Sequence, residues 1–388
     1  MSSASESTPL GAAPFIGAFY FFYFALVGVY IIFLPKLLEG SGFSATEVGI
    51  IYASGPFMRF LLPFVFRHFI HLTHRIYRIS LLVGVGSTLL FFVTVDHFWA
   101  YLAANLVFGA SAGAILPFVE AIALQMISKE HYGKVRLWGS IGFAAVALFL
   151  GRFLGTPQEG ILSLSILAMA TLLFGYFIVC FDQESVPTQS IKETNRDFSL
   201  VKYWAFWLSA FLLQVSFGGF YNFFTIYETA QGISLQTTGY LWSFGVFCEI
   251  VLFYYQGPLL KKNFLSLLKF AISTAVLRWS LLYFFPDSLL MAYASQSLHA
   301  FSFALYYTAV ISYVYNLYTQ KKLAQQFLLG LTFGLGGSVG AVIAGGIYDY
   351  DSTLLFGFEA MMALLSLGVL HIHQRRKMHI LSEEATHG

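Results

Sequence analysis

Twelve apolar segments, each near the roughly 20 residues needed to cross a hydrocarbon core, follow one another along this chain and leave little length for anything else. They run at about 14–38, 46–67, 77–95, 98–127, 135–155, 160–181, 201–227, 236–260, 264–285, 288–316, 323–348 and 353–373. Hydrophobic residues make up 58% of the chain and charged ones 10%, against about a quarter charged in soluble domains. Mean hydropathy is +0.72. The expectation is an all-α integral membrane protein of 12 transmembrane helices. The first segment lacks a basic leader and a small-residue cleavage site, so it reads as a retained helix.

Orientation follows from the basic residues. With both termini cytoplasmic, the inward connections hold 16 of the 21 Lys and Arg, and the opposite ones only Lys36 and Arg152. The longest polar stretch, DQESVPTQSIKETNRD, separates spans six and seven. The expected organisation is a cytoplasmic tail (1–13), a six-helix bundle (14–181), a cytoplasmic linker (182–200), a second six-helix bundle (201–373) and a cytoplasmic tail (374–388). A weak repeat supports two halves: GFSATEVGIIYASG from Gly42 and GISLQTTGYLWSFG from Gly232 share three glycines and a serine at a shift of 190 residues. Two such halves with pseudo-twofold symmetry about the membrane normal resemble the major facilitator transporters, in which substrate binds between the halves.

Several function classes are excluded. A net charge of +2 does not point to nucleic acid, and Cys180 and Cys248 lie in different halves, which makes a disulfide framework improbable. No GxxxxGK[ST] run is present, so the expected energy source is an ion gradient, with no cofactor. No nucleophile-and-base spacing or metal-ligand set lies in the spans, which argues against an intramembrane enzyme. Tails this short argue against a receptor scaffold. The partners expected are a small-molecule substrate, protons and the bilayer, around a monomer.

Charges deep in a span cost about 2.5–3.5 kcal/mol on insertion scales and are therefore functional candidates. By position these are Arg59, Glu120, Glu249, Arg278 and His299, with Arg136 less deep and Glu359 in the outer part of the last span. Glu249, Arg278 and His299 fall near the middle of spans eight, nine and ten. Arg59 and Glu249 are separated by the same 190 residues as the repeat. Static salt bridges that join helices are the alternative reading.

YGKVRLWGSIGF, from Tyr132 to Phe143, resembles the start of the fifth span in the phenylpropionate permease family and, more distantly, in the lactose permease group, both proton symporters of the major facilitator superfamily. The lactose permease pattern pairs an arginine there with a glutamate in a Pro-x-Val-Glu-Ala run of the previous span. Here the run is Pro117-Phe-Val-Glu120-Ala121, so the resemblance implies substrate-binding roles for Glu120 and Arg136, and a stacking ring at Phe143. In the second half Arg278 and His299 fall on an arginine and a histidine that the lactose permease uses in proton coupling. The chain departs from that pattern at Ser302 and Val246, where the lactose permease has carboxylates, and in both respects it is similar to the phenylpropionate permeases.

The expected mechanism has Glu249 carry the proton while Arg278 and His299 tune it. Three arginines, Arg59, Arg136 and Arg278, outnumber Glu120 and Glu249 in the apolar region, which favours an organic anion over a neutral sugar. Tyr23, Asn222 and Phe143 are expected in the substrate wall, and Arg59 beside it. The function expected is proton-coupled uptake of a small organic solute, an aromatic acid such as a phenylpropionate, in the inner membrane. The alternatives are a sugar or nucleoside symporter and a drug or metabolite exporter. Span eleven, GLTFGLGGSVGAVIAGG, carries small-xxx-small spacing and is expected to pack closely. His68, His71 and His74, like His371, His373 and His379, are expected to be solvated inside anchors.

Overall fold

The computed structural model describes residues 12–68, 72–181 and 198–387, which are almost wholly helical, with no strand among them. The tail before residue 12, His71 and residues 182–197 of the expected linker lie outside the described residues, as do the side chains of His68 and His379. The helices are α1 (Ala12–Gly28), α2 (Leu34–Glu39), α3 (Ala45–His68), α4 (His74–Thr94), α5 (Phe98–Met126), α6 (Lys129–Phe149) and α7 (Pro157–Phe181). They continue as α8 (Trp204–Val215), α9 (Gly218–Ala230), α10 (Leu235–Tyr255), α11 (Phe264–Phe284), α12 (Leu289–His299) and α13 (Tyr306–Leu317). The last three are α14 (Lys321–Phe327), α15 (Gly337–Asp351) and α16 (Leu355–His387).

Among the described residues, eight helical stretches are long and apolar enough to cross a membrane. One, Leu323–Arg376, has 54 residues, enough for two passes at about 20 residues each. The other expected spans, seven, eight and ten, coincide with α8–α9, α10 and α12–α13. Spans one, ten and eleven contain π-helical turns at Val29–Phe33, Ala300–Leu305 and Leu328–Gly336, which rotate the residues that follow relative to those before. Span starts carry their own caps: Thr73, Ser234, Asn263 and Ser288 each accept a first-turn N–H, which leaves fewer orphan donors at the helix ends.

The repeat has a conformational cause. Gly42 and Gly232 are the only described residues with positive φ, at 102° and 85°. Each ends a helix in the same way, with Phe43 N–H bonded to Leu38 O and Ile233 N–H to Glu228 O. That six-to-one bond with a left-handed glycine is the Schellman motif, and glycine adopts it without a Cβ penalty. After Gly42, Ser44 and Glu47 cap the next helix reciprocally.

Contacts divide the described chain into two compact units, 12–43 with 61–181 and 44–60 with 198–387. In the first, α1 packs on α6 and α7, and α4 on α5 and α7. Its core holds Phe19, Tyr20, Tyr77 and Phe118, with Tyr77 stacked on Phe118 at 4.3 Å. A Cβ on Gly142 of α6 would lie 2.0 Å from the Phe21 carbonyl oxygen of α1, so these helices meet backbone to side-chain-free backbone. Gly142→Ala is expected to cost about 1–3 kcal/mol through overpacking. Thermal unfolding in detergent measures it, and an unchanged midpoint would show that the two helices separate freely at that point.

In the second unit α11 and α8 pack on α16, α10 on α12, and α9 on α15. The expected close approach of span eleven is present: Cβ atoms on Gly340 and Gly345 would lie 2.4 Å from Val215 O and 2.6 Å from Ala45 O. At the end of α15 the Asp349 carboxylate accepts from Ala45 N and Thr46 N, each at 2.8 Å, and so caps α3 across 304 residues of sequence. Of the expected solvated histidines His371 is exposed, but His373 is not. The residue is 4% exposed, with Nε2 2.5 Å from the Tyr313 hydroxyl and Phe206 beside it, because this stretch of α16 is met by α8 and α13.

Candidate functional site

In the first unit, Glu120 on α5 and Arg136 on α6 are brought together, with Arg136 Nε 3.7 Å from Glu120 Oε1. That is an ion pair longer than a hydrogen bond. Both side chains remain about a third exposed, at 31% and 38%. The guanidinium lies over the rings of Phe24 and Tyr20 on α1, 4.1 and 5.1 Å from their centroids. Gly139 makes this possible: a Cβ there would sit 2.7 Å from Phe24 Cδ2 and 2.8 Å from Arg136 Nη1. A guanidinium over aromatic faces is attracted by their π-density without using its N–H donors, and a planar fork of such donors can bind a carboxylate bidentately.

The other residues expected in this wall are less concentrated. Tyr23 is buried at 7%, stacks on Phe19 and donates its hydroxyl to Ala112 O at 3.4 Å. Phe143 is half-buried, and its ring packs where a Cβ on Gly28 would stand, 3.5 Å away. In the second unit Asn222 is half-buried and donates from Nδ2 to Gly218 O of its own helix at 2.6 Å. Arg59, on α3, is exposed.

The second unit gathers Glu249, Arg278 and His299 from α10, α11 and α12. His299 Nε2 is 2.6 Å from Glu249 Oε1, and His299 Nδ1 is 2.6 Å from Arg278 Nη1. A guanidinium has donors only, so Nδ1 must accept and the imidazole's proton sits on Nε2, directed at the glutamate. His299 in this arrangement is a neutral connector between a cation and a carboxyl. Arg278 is fully buried, with its guanidinium over the rings of Phe220 at 4.0 Å and Trp279 at 4.4 Å. His299 lies parallel to the Phe303 ring at 5.2 Å.

Two contributors stand outside the site residues expected from the sequence, Glu359 having been noted there only as a charge in the outer part of the last span. Gln296, one helical turn before His299, accepts from Arg278 Nη2 at 3.2 Å, and a Cβ on Gly245 would come within 2.9 Å of its Oε1. The i, i+3 spacing from His299 was its signal. Glu359 is fully buried, and its Oε1 accepts from Phe220 N at 2.8 Å. The Gly218-Gly219 pair opposite it was the sequence cue.

A sequence profile of the MFS_1 like family matches residues 15–358. The chain belongs to that family. It is a multi-pass membrane transporter of the major facilitator fold and not an enzyme. It is 28% identical over 360 residues to the probable 3-phenylpropionic acid transporter of Escherichia coli (strain K12), covering 89% of this chain and 93% of the relative. It is 24% identical to the uncharacterized transporter YwbF of Bacillus subtilis (strain 168), covering 90% and 89%. The crystal structure of the nucleoside transporter NupG superposes with a TM-score of 0.77 at 17% identity, over 94% of this chain and 99% of that one. That of the human organic anion transporter MFSD10 superposes with a TM-score of 0.66 at 18% identity, over 92% and 98%. The structural likenesses show the fold alone.

Proposed function

We propose that this transporter is a proton-coupled symporter that takes up a small aromatic carboxylate, of the chemical class of 3-phenylpropionate, across the inner membrane, working as a monomer with both termini in the cytoplasm. The observation that carries the coupling is the chain Arg278–His299–Glu249, its first two members buried and the third mostly covered. Its neutral imidazole passes the field of one guanidinium to one carboxyl, so a proton on Glu249 changes the charge balance of the whole chain. Glu249 carries the proton in this reading, and Arg278 and His299 set when it leaves. The basic residues crowded on one side of the spans support the orientation.

The substrate class rests on Arg136, held on Phe24 and Tyr20 with Glu120 alongside, together with the phenylpropionate name borne by the Escherichia coli relative. Tyr23, Phe143, Asn222 and Arg59 complete the proposed set of substrate contacts. Uptake of labelled 3-phenylpropionate into energised inner-membrane vesicles is expected to exceed equilibration and to collapse with a protonophore. Accumulation that survives the protonophore would refute the coupling. Arg136→Lys is expected to weaken binding of 3-phenylpropionate about tenfold, since loss of the stacked fork is on the order of 1–2 kcal/mol. Calorimetric titration measures it, and an unchanged Kd would remove Arg136 from the site.

Glu120, at 38% exposure beside Arg136, supports a second reading, because a carboxylate next to a guanidinium also suits the hydroxyls of a sugar or nucleoside. Competition of lactose and adenosine with 3-phenylpropionate in the same vesicles separates the two. Transport of drugs outward is the remaining alternative, and inside-out vesicles test it.

A further inference from the structure

Span seven does not run through as one helix. α8 ends at Val215, Ser216 and Phe217 intervene, and α9 starts at Gly218. The interruption coincides with paired glycines, and the α15 backbone fills the space a side chain would need: a Cβ on Gly218 would lie 2.2 Å from the Gly340 carbonyl carbon. A new helix start inside a unit leaves first-turn N–H groups without intrahelical partners, and no side chain of the segment's own N-cap supplies one. Glu359 of α16 does so. Its Oε1 accepts from Phe220 N at 2.8 Å, with Gly219 N also directed to it, while Oε2 has no partner among the described residues. Only glycine fits at 219, since a Cβ there would be 2.4 Å from that same Oε1.

Phe220 faces both ways. Its N–H holds Glu359, and its ring carries the Arg278 guanidinium at 4.0 Å and flanks His299 at 5.5 Å. Arg278 is the only buried arginine or lysine among the described residues. Two carboxyl groups therefore adjoin one cation, Glu249 through the neutral imidazole and Glu359 through Phe220. An uncompensated buried ion costs several kcal/mol, so one guanidinium balances one carboxylate at a time. Around Glu359 the charged group is Arg278 from α11, with the backbone N–H groups of Gly219 and Phe220 from α9 on its carboxyl.

We propose that Glu359 is a second proton-exchanging carboxyl which shares one proton with Glu249, Arg278 balancing whichever of the two is ionised. When the proton is on Glu249, Glu359 is the carboxylate and caps α9 as an anion, where the helix dipole adds to the hydrogen bonds. When Glu249 is ionised the proton is on Glu359, and the cap is a neutral carbonyl. Proton loading is thereby linked to the hold on the broken span. The inference rests on the reading of Glu249 as proton carrier, but its test needs neither substrate nor transport.

Infrared difference spectra of the purified protein in lipid nanodiscs, taken at neutral pH, read protonated carboxyl groups directly. The wild type minus Glu359→Gln spectrum is expected to show a carboxylic-acid C=O band. In the Glu249→Gln background, where residue 249 is permanently neutral, that band is expected to be lost and replaced by carboxylate bands. Glutamine keeps the oxygen that accepts from Phe220 N. Should it nevertheless fail to fold, Glu359→Asp serves, because the band then shifts instead of vanishing. A Glu359 acid band of equal intensity in wild type and Glu249→Gln, or none in the wild type, overturns the proposal. Uptake that ignores a protonophore, with the band behaviour as expected, overturns symport and leaves the shared proton standing.

Discussion

Glu249→Gln is expected to abolish accumulation of solute driven by a pH gradient while leaving exchange of solute across the membrane in place. The carboxyl sits 2.6 Å from His299 Nε2, and glutamine keeps an oxygen at that distance to accept the same proton. The local fold is thus preserved and only the ability to take and lose a proton is removed. For one proton per solute, a gradient of one pH unit sustains about tenfold accumulation, because ~1.4 kcal/mol is a factor of ten. The variant should bring that ratio down to one. Measurement is by labelled 3-phenylpropionate in vesicles with an imposed pH step, alongside counterflow. A variant that still concentrates the label would move the proton to another group.

Arg278→Met is expected to be the most destabilising single change among the candidate residues. Arg278 is fully buried, donates to His299 and Gln296, and rests on Phe220 and Trp279. Methionine approximates its apolar volume but leaves the carboxyls of Glu249 and Glu359 without a cation. Removing one partner of a buried pair typically costs about 3–5 kcal/mol, most of it the penalty on the partner left behind. Combining Arg278→Met with Glu249→Gln should therefore recover a large part of the loss. Thermal unfolding of the two variants in the same detergent compares them. Equal midpoints for single and double variants would mean that Arg278 acts through packing alone.

How much of this was legible before the structure varies by residue. Spans such as 98–127 and 160–181 could be placed to within a few residues of α5 and α7, since hydropathy is a local property and a lipid-facing helix satisfies its own backbone. Gly42 and Gly232 were visible as a repeat, and their left-handed φ supplies the reason. Glu120 and Arg136 could be paired through a resemblance, and Gly139 one turn after the arginine fits it. The equal spacing of Arg59 and Glu249 suggested similar surroundings, yet Arg59 is exposed and Glu249 mostly covered. Equal position along two helices does not say what packs against each, because the neighbours that cover a side chain come from other helices. His373 was misread for a related reason: its neighbours Tyr313 and Phe206 lie 60 or more residues away in sequence.

The sequence by itself determined that this chain spans a membrane many times, that its family is that of major facilitator transporters, and that a handful of charges stand where lipid would not tolerate them unpaired. These follow from composition and from local pattern, which each segment carries independently. Only the tertiary structure decided through which atoms the charges of the second half meet. The tautomer of His299 depends on Arg278 being 2.6 Å from Nδ1, and the role of Glu359 depends on a backbone N–H that is free only because span seven breaks 139 residues earlier. A buried charge takes its energy, and so its chemistry, from neighbours that folding supplies.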